Sequence, residues 1–308
     1  MKKFVQYLLL FLTPILVLGL TLELLIRRIP NDYEFKKDYL DHHANEISTL
    51  FLGSSHVYYG IDPKYVKASF NASYISQSFD YDLAILKKYQ NNWSKLKYIV
   101  LPVDYFSLYG LLEDSPEAWR SKNYSIYYHI ETHHKIISDT EVFGNKLDVN
   151  LTRLYAYYVK GQADTSCSRL GWGQRYTART HKNLDKTGPV AAARHTAKTN
   201  KRFEQNIRLL NEIIDFAELR KIKVLLFTSP AYKSYITHLR QSQLKGTLSA
   251  IRQIGNAHRL TKYYNLLNDS SFKANDFYDA DHLNEYGAKK LSLKITALLL
   301  KEKQHMQD

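Results

Sequence analysis

The stretch that most restricts this chain lies near its start. FVQYLLLFLTPILVLGLTLELLI, residues Phe4 to Ile26, is an almost unbroken apolar run with Glu23 as its only charge. About 20 such residues span the hydrocarbon core of a bilayer. Lys2 and Lys3 precede the run, and Arg27 and Arg28 follow it. A removable signal peptide would have a shorter apolar stretch and a small-residue cleavage site, and neither is visible. Residues 1–28 are therefore expected to be an uncleaved signal anchor crossing the cytoplasmic membrane once. Positive charge flanks both ends, so orientation is weakly specified. The expectation is an N-terminus in the cytoplasm and an extracytoplasmic body. The run's length and all-round apolarity fit poorly with a helix buried in a soluble core.

Composition limits the partners. The chain has 308 residues and a 44% apolar share, enough for a sizeable core beyond the anchor. A formal net charge of +13 suits nucleic acid, an anionic membrane surface or an acidic polymer. The basic residues are scattered and no nucleic-acid-binding motif is present, so nucleic acid is the weakest of the three. The 25 tyrosines either pack with their hydroxyls near the surface or form a platform for sugar rings. Cys167 is the only cysteine, so neither an intramolecular disulfide nor a thiolate metal site can form. His129, His133 and His134 could place two imidazoles on one helix face. Without a consistent set of further ligands, no metal site and no cofactor are expected.

The body reads as alternating strands and helices. A polar juxtamembrane linker is expected over 29–46, followed by an α/β domain over 47–308. ISTLFLGSSH begins as a buried strand and stops at a glycine; FNASYISQS and LKYIVLPVDYF supply two more strands. Helical spacing covers Phe79 to Leu96. A clear amphipathic helix carries Phe203, Ile207, Leu210, Ile213, Ile214 and Ala217 on one face and runs into the strand KIKVLLFTSPAY. Further helices are expected from about His238 to Ala257 and from about Asn284. Between them, residues of about 108–199 are rich in Tyr, His and Arg with weak periodicity, and are expected to form an insertion or lid. The alternation implies a three-layer α/β/α fold with a mostly parallel sheet. Within the insertion, Trp172, Arg175, Arg194 and His195 could bind an anionic or sugar substrate, or lie on an ordinary surface loop.

Ligands of open parallel sheets bind outside the carboxyl ends of the strands. Those ends supply Gly53-Ser54-Ser55-His56, Ser76-Gln77-Ser78 and Asp104-Tyr105, while Asp279-Ala280-Asp281-His282 precedes the last helix. A serine hydroxyl needs an adjacent base, and a histidine base needs a carboxylate to hold its tautomer. An Asp three residues before a His can reach the ring's outer nitrogen. A Gly-Ser-Ser turn can equally be a tight loop, and Asp-x-x-His can be a helix cap.

Together, FLGSSH near the start of the domain and FYDADHLNEYGAKKLS before the final helix resemble the SGNH/GDSL hydrolase superfamily. NASYISQSFDYDLAILKKY resembles its second block, and KYIVLPVDYFSLYG stands in the place of its third. The resemblance implies an SGNH or flavodoxin-like fold with Ser55 as nucleophile, His282 as general base and Asp279 as its orienter. It implies oxyanion or substrate contacts from the Ser55 N–H, from Ser76 in place of the family's glycine, and from Asp104, Tyr105 or Gln77 where the family has asparagine. A carboxylate aimed at an oxyanion would oppose catalysis, and loss of one donor costs on the order of 10²–10³ in turnover.

The expected function is an extracytoplasmic serine esterase or O-acyltransferase acting on acyl, above all acetyl, esters of a cell-surface glycan. Its expected partners are the membrane, an acylated polysaccharide and, for a transferase, a membrane-bound O-acyltransferase. The competing expectation is a non-catalytic relative that binds glycan or scaffolds a polysaccharide-modification complex.

Overall fold

The computed structural model describes residues 1–130, 132 and 140–304. The chain forms two compact units: Met1–Asp38 with Pro116–Thr165, and Tyr39–Ser115 with Ser166–Asp308.

The larger unit is built on five strands: β1 (Thr49–Phe51), β2 (Ser69–Asn71), β3 (Tyr98–Pro102), β4 (Lys223–Thr228) and β5 (Thr261–Asn265). They pair in the order β2-β1-β3-β4-β5, and every pairing is parallel. The register sets Phe51 beside Val100 and Val100 beside Leu225. These side chains, with Phe227, share one face and pack on Leu291, Ile295 and Leu299 of the helix Glu285–Gln304. Alternate strand residues Leu50, Ile99, Leu101, Val224 and Leu226 point the other way and are also buried. The helix Phe203–Leu219 lies against β4 and against the helix Phe79–Lys88, and buries Leu210, Ile213 and Ile214. Helices thus flank both faces of a parallel sheet, the α/β architecture the sequence pattern implies. Full burial of a side chain such as Leu226 or Phe227 stabilises by about 1.5–3 kcal/mol.

Two elements depart from the sequence reading. β5 was not anticipated: TKYYN is an edge strand with exposed Lys262 and no continuous apolar run. The segment 29–46, expected as a linker, contains the helix Asp32–His43. The Asn31 side-chain oxygen accepts the N–H groups of Tyr33 and Glu34, both at 3.1 Å, and starts that helix. Acidic Asp32 and Glu34 lie in its first turn and His42 and His43 in its last, which suits the helix dipole.

In the smaller unit, Lys2–Arg27 is a single helix of 26 residues, about 39 Å at 1.5 Å per residue. Among the described residues it is the one helix long and apolar enough to cross a membrane. Its leucines are largely exposed, with Leu10 at 74%. His129 is exposed in this unit; His133 and His134, its expected neighbours on a helix face, lie outside the described residues.

Candidate functional site

The site forms at the carboxyl ends of β1, β3 and β4, within the larger unit. β1 runs into Gly53, whose φ of +110° is a conformation other residues resist. A Cβ there would stand 2.5 Å from the Pro102 ring at the end of β3. The sharp turn lets Ser54 cap the one-turn helix Ser55–Tyr58, where the Ser54 hydroxyl accepts the His56 N–H at 3.4 Å. Ser55 therefore opens that turn, half-buried at the sheet's end.

His282 arrives from a loop fixed by its own residues. Phe277 and Leu283 bridge antiparallel, and the Tyr278 N–H donates to the His282 carbonyl at 2.9 Å. The Asn284 amide donates to the carbonyls of Asn275 and Phe277, and its oxygen accepts from Tyr286 and Gly287 at the start of the final helix. Asp279 Oδ1 accepts both the His282 backbone N–H and Nδ1, each at 2.9 Å. That contact aims the ring: His282 Nε2 lies 2.9 Å from Ser55 Oγ. The tautomer that satisfies both partners carries its hydrogen on Nδ1 and leaves Nε2 to accept the serine proton. Three residues from opposite ends of the domain are thereby within hydrogen-bond reach in series.

A second layer lies behind them, and sequence reasoning missed most of it. His56 Nδ1 meets Asp104 Oδ2 at 2.8 Å, and its Nε2 stands 3.6 Å from Asp281 Oδ2. The His56 and His282 rings meet edge to face, 4.9 Å between centroids. Asp281 Oδ2 is also 3.6 Å from His282 Nδ1, 3.9 Å from His195 Nδ1 and 3.2 Å from an Arg194 nitrogen. Burial alone would lower the His56 pKa, but the Asp104 and Asp281 carboxylates outweigh it and raise it to about 10. Burial would push Asp281 up; His282 and His56 instead hold it well below the usual carboxylate range. His195, half-buried and bonded to the Tyr235 hydroxyl at 2.9 Å, is lowered to about 3, chiefly by the desolvation of its ring. His56 and Asp281 sit inside the two motifs that carry Ser55 and His282, so their positions were visible and their pairing was not.

The expected oxyanion residues divide by atom. Asp104 does not face the serine with a free carboxylate: besides His56, its Oδ1 accepts the Ser229 N–H at 2.7 Å and its Oδ2 the Ser229 hydroxyl at 3.2 Å. The Tyr105 hydroxyl bonds Thr196 at 2.8 Å and the Arg240 N–H at 3.1 Å, deep in a cluster with Tyr235 and Leu239. Gln77 donates its amide to Asp82 Oδ1 at 2.6 Å. Ser76 sits in a tight turn at φ +58°, the left-handed conformation that glycine adopts most readily. Trp172, a candidate substrate contact, is buried and donates Nε1 to the Tyr59 carbonyl at 2.8 Å, while Arg175 is exposed.

Tyrosines wall one side. Tyr59, Tyr176 and Tyr278 stack face to face, with centroids 3.7 Å and 3.9 Å apart, and Tyr176 meets the His282 ring edge-on at 5.2 Å. A metal could find ligands in His56, Asp281 and His282, whose ligand atoms lie within 4.8 Å of one another. Such an ion would compete with the contacts that orient His282.

Asp82 supports the turn from below. Its Oδ1 accepts the Gly53 N–H at 2.8 Å as well as Gln77, while burial raises its pKa to about 7. A carboxyl raised in the fold is harmless below its ordinary 3.8 and costs stability as pH climbs through 7. Asp82→Asn is expected to flatten that loss, so its melting temperature should gain on the parent between pH 4 and pH 8 in calorimetry.

No family model and no curated protein matches the chain. Among solved structures, one from Streptococcus pneumonia, provisionally described as a platelet activating factor, aligns over 93% of this chain and 97% of that one. Its TM-score is 0.40 and its identity 13%. So distant a likeness decides nothing about chemistry, which rests on the side chains assembled around Ser55.

Proposed function

We propose that the chain is a membrane-anchored serine hydrolase or O-acyltransferase of the SGNH/GDSL type, acting on acetyl esters of a cell-surface glycan outside the cytoplasmic membrane. The observation that carries this reading is the relay from Ser55 Oγ through His282 to Asp279, with both links at 2.9 Å.

In this mechanism Ser55 Oγ attacks the acyl carbonyl carbon while its proton passes to His282 Nε2. The carbonyl π electrons move to oxygen and form a tetrahedral oxyanion. Its collapse breaks the ester C–O bond, and the departing sugar hydroxyl takes the proton from His282. Ser55 is left acylated. His282 then deprotonates water, giving hydrolysis, or a second sugar hydroxyl, giving transfer. Asp279 keeps Nδ1–H oriented throughout and stabilises the transient imidazolium. Backbone N–H groups of Ser55 and Ser76 are the oxyanion donors; neither has a protein acceptor among the described residues. The Ser76 turn supports that role because only its backbone is needed.

The binding of Asp104 to His56 and Ser229 favours activity, since a carboxylate held in a buried ion pair is not free to repel the oxyanion, and the oxyanion then relies on two backbone donors. The tyrosine stack beside His282 is the kind of aromatic wall that suits sugar. With the full chain in detergent or nanodiscs and an O-acetylated polysaccharide, acetate should be released or moved to an acceptor hydroxyl. Ser55→Ala should abolish both. Unchanged acetate turnover by Ser55→Ala would exclude the mechanism.

A further inference from the structure

The smaller unit contains a helix turned inside out. Leu147–Leu154 continues into the π-helical turn Tyr155–Val159. In water, such a segment buries its apolar side. Here polar groups lie on the buried side, beside half-buried Leu154 and Tyr157. Asn150 is 2% exposed and donates to the Glu141 carbonyl, while Arg153 donates to the Glu141 carboxylate at 2.9 Å. Glu141, itself fully buried, also receives Lys122 and the Tyr127 hydroxyl. The outward side is mostly apolar, with Asp148 and Thr152 its exposed polar members: Leu147 is 63% exposed, Leu151 52%, Tyr155 54% and Val159 67%, and Phe143 from the preceding turn is 77% exposed. Spacings of four residues put Leu147, Leu151 and Tyr155 on one face.

This outward face is tied to the end of the long apolar helix. Glu23, that helix's only acidic residue, accepts the N–H groups of Glu141 and Val142, each at 2.9 Å. The Tyr158 hydroxyl donates to the Leu25 carbonyl at 3.0 Å. Both ties fall in the last turns of Lys2–Arg27, where a spanning helix leaves the hydrocarbon core. Exposed Lys146 and Lys160 bracket the segment, with Asp148 its one acid, which suits anionic headgroups.

We propose that residues 141–159 form a second membrane contact, lying in the interfacial layer with Phe143, Leu147, Leu151, Tyr155 and Val159 in lipid. The occupant is the bilayer that Lys2–Arg27 crosses, so the inference rests on the anchor reading while standing apart from the serine chemistry. Interfacial helices seat their apolar face about 5–10 Å into the boundary between headgroups and acyl chains. Polar groups on the inner face then find protein partners, as Asn150 and Arg153 do, while the outer face needs none.

The test uses the full chain carrying Cys167→Ser and a single new cysteine, reconstituted in phosphatidylcholine and phosphatidylglycerol vesicles. An environment-sensitive fluorophore at Leu151→Cys or Val159→Cys should shift to the blue and lose emission more to shallow than to deep nitroxide lipids. At Leu16→Cys the deep nitroxide should quench more, and the same fluorophore free in buffer sets the emission expected in water. These side chains are exposed, so labelling leaves the fold intact, checked by circular dichroism. Probes at 151 and 159 that emit like the free fluorophore in water and are not quenched, while 16 is quenched, would overturn the interfacial contact alone. A blue shift at 151 and 159 without quenching by either lipid would assign the face to a protein partner and overturn it too. Absence of quenching at 16 would overturn the anchor, and the second contact with it.

Discussion

Replacing His282 with alanine is expected to lower ester turnover by about 10⁴–10⁶-fold, because the serine loses the base that takes its proton. Asp279→Asn should cost about 10⁴-fold by favouring the wrong tautomer, even though the asparagine oxygen could still accept the His282 backbone N–H. Asp281→Asn separates the two carboxylates. Asp281 lies 3.6 Å from His282 Nδ1 against 2.9 Å for Asp279, so its loss should reduce kcat far less. Steady-state kinetics on a small acetyl ester measure all three. Should Asp281→Asn fall as far as Asp279→Asn, the orienting role would have to be reassigned to the inner carboxylate.

The second large effect concerns stability. Asp104→Ala leaves the buried His56 ring without the carboxylate at 2.8 Å and the Ser229 N–H without its acceptor. Breaking one side of a buried pair costs about 3–5 kcal/mol, which urea titration would read as a lower midpoint with an unchanged slope. The pH dependence has a definite sign. With its pKa raised to about 10, His56 contributes stability that is complete below its ordinary 6.5 and is lost as pH rises through 10. The gap between parent and Asp104→Asn should therefore narrow across that alkaline window. At the acid end the direction reverses. Asp281 is held low, so its contribution is present above 3.8 and is lost as pH falls below that value. His195, lowered to about 3, adds to the acid loss because the unfolded chain binds its proton below 6.5.

Much of this was legible because the relevant signals are local. The apolar run at 4–26 needs no partner to declare its length, and Asp279 reaches His282 within one turn of loop. β1, β3 and β4 are apolar on both faces, so their runs stand out. β5 does not, since Lys262 and Asn265 sit on an edge that water can reach. The helix Asp32–His43 escaped because most of its residues are polar and its cap, Asn31, is read only once the turn exists. The site's inner layer depends on segments far apart in the chain: His56 meets Asp104 from 48 residues away, and Arg194 meets Asp281 from 87. No periodicity carries such a pairing. The same holds for Leu147–Val159, where a pattern of apolar and polar sides shows that two faces differ without showing which one is inside. Asp104 is the sharpest case. Its position at the end of β3 marked it as a carboxylate that could repel the oxyanion, and its side-chain contacts with His56 and Ser229 answer that repulsion without replacing the family's asparagine donor.

The claim that Ser55 is an activated nucleophile is tested most directly by mass spectrometry of the intact full-length protein after exposure to a fluorophosphonate. A single adduct per chain is expected, on the peptide that contains Ser55. It should be absent in Ser55→Ala and strongly slowed in His282→Ala. Labelling that persists in Ser55→Ala, or a folded parent protein that takes up no label, would contradict the assignment.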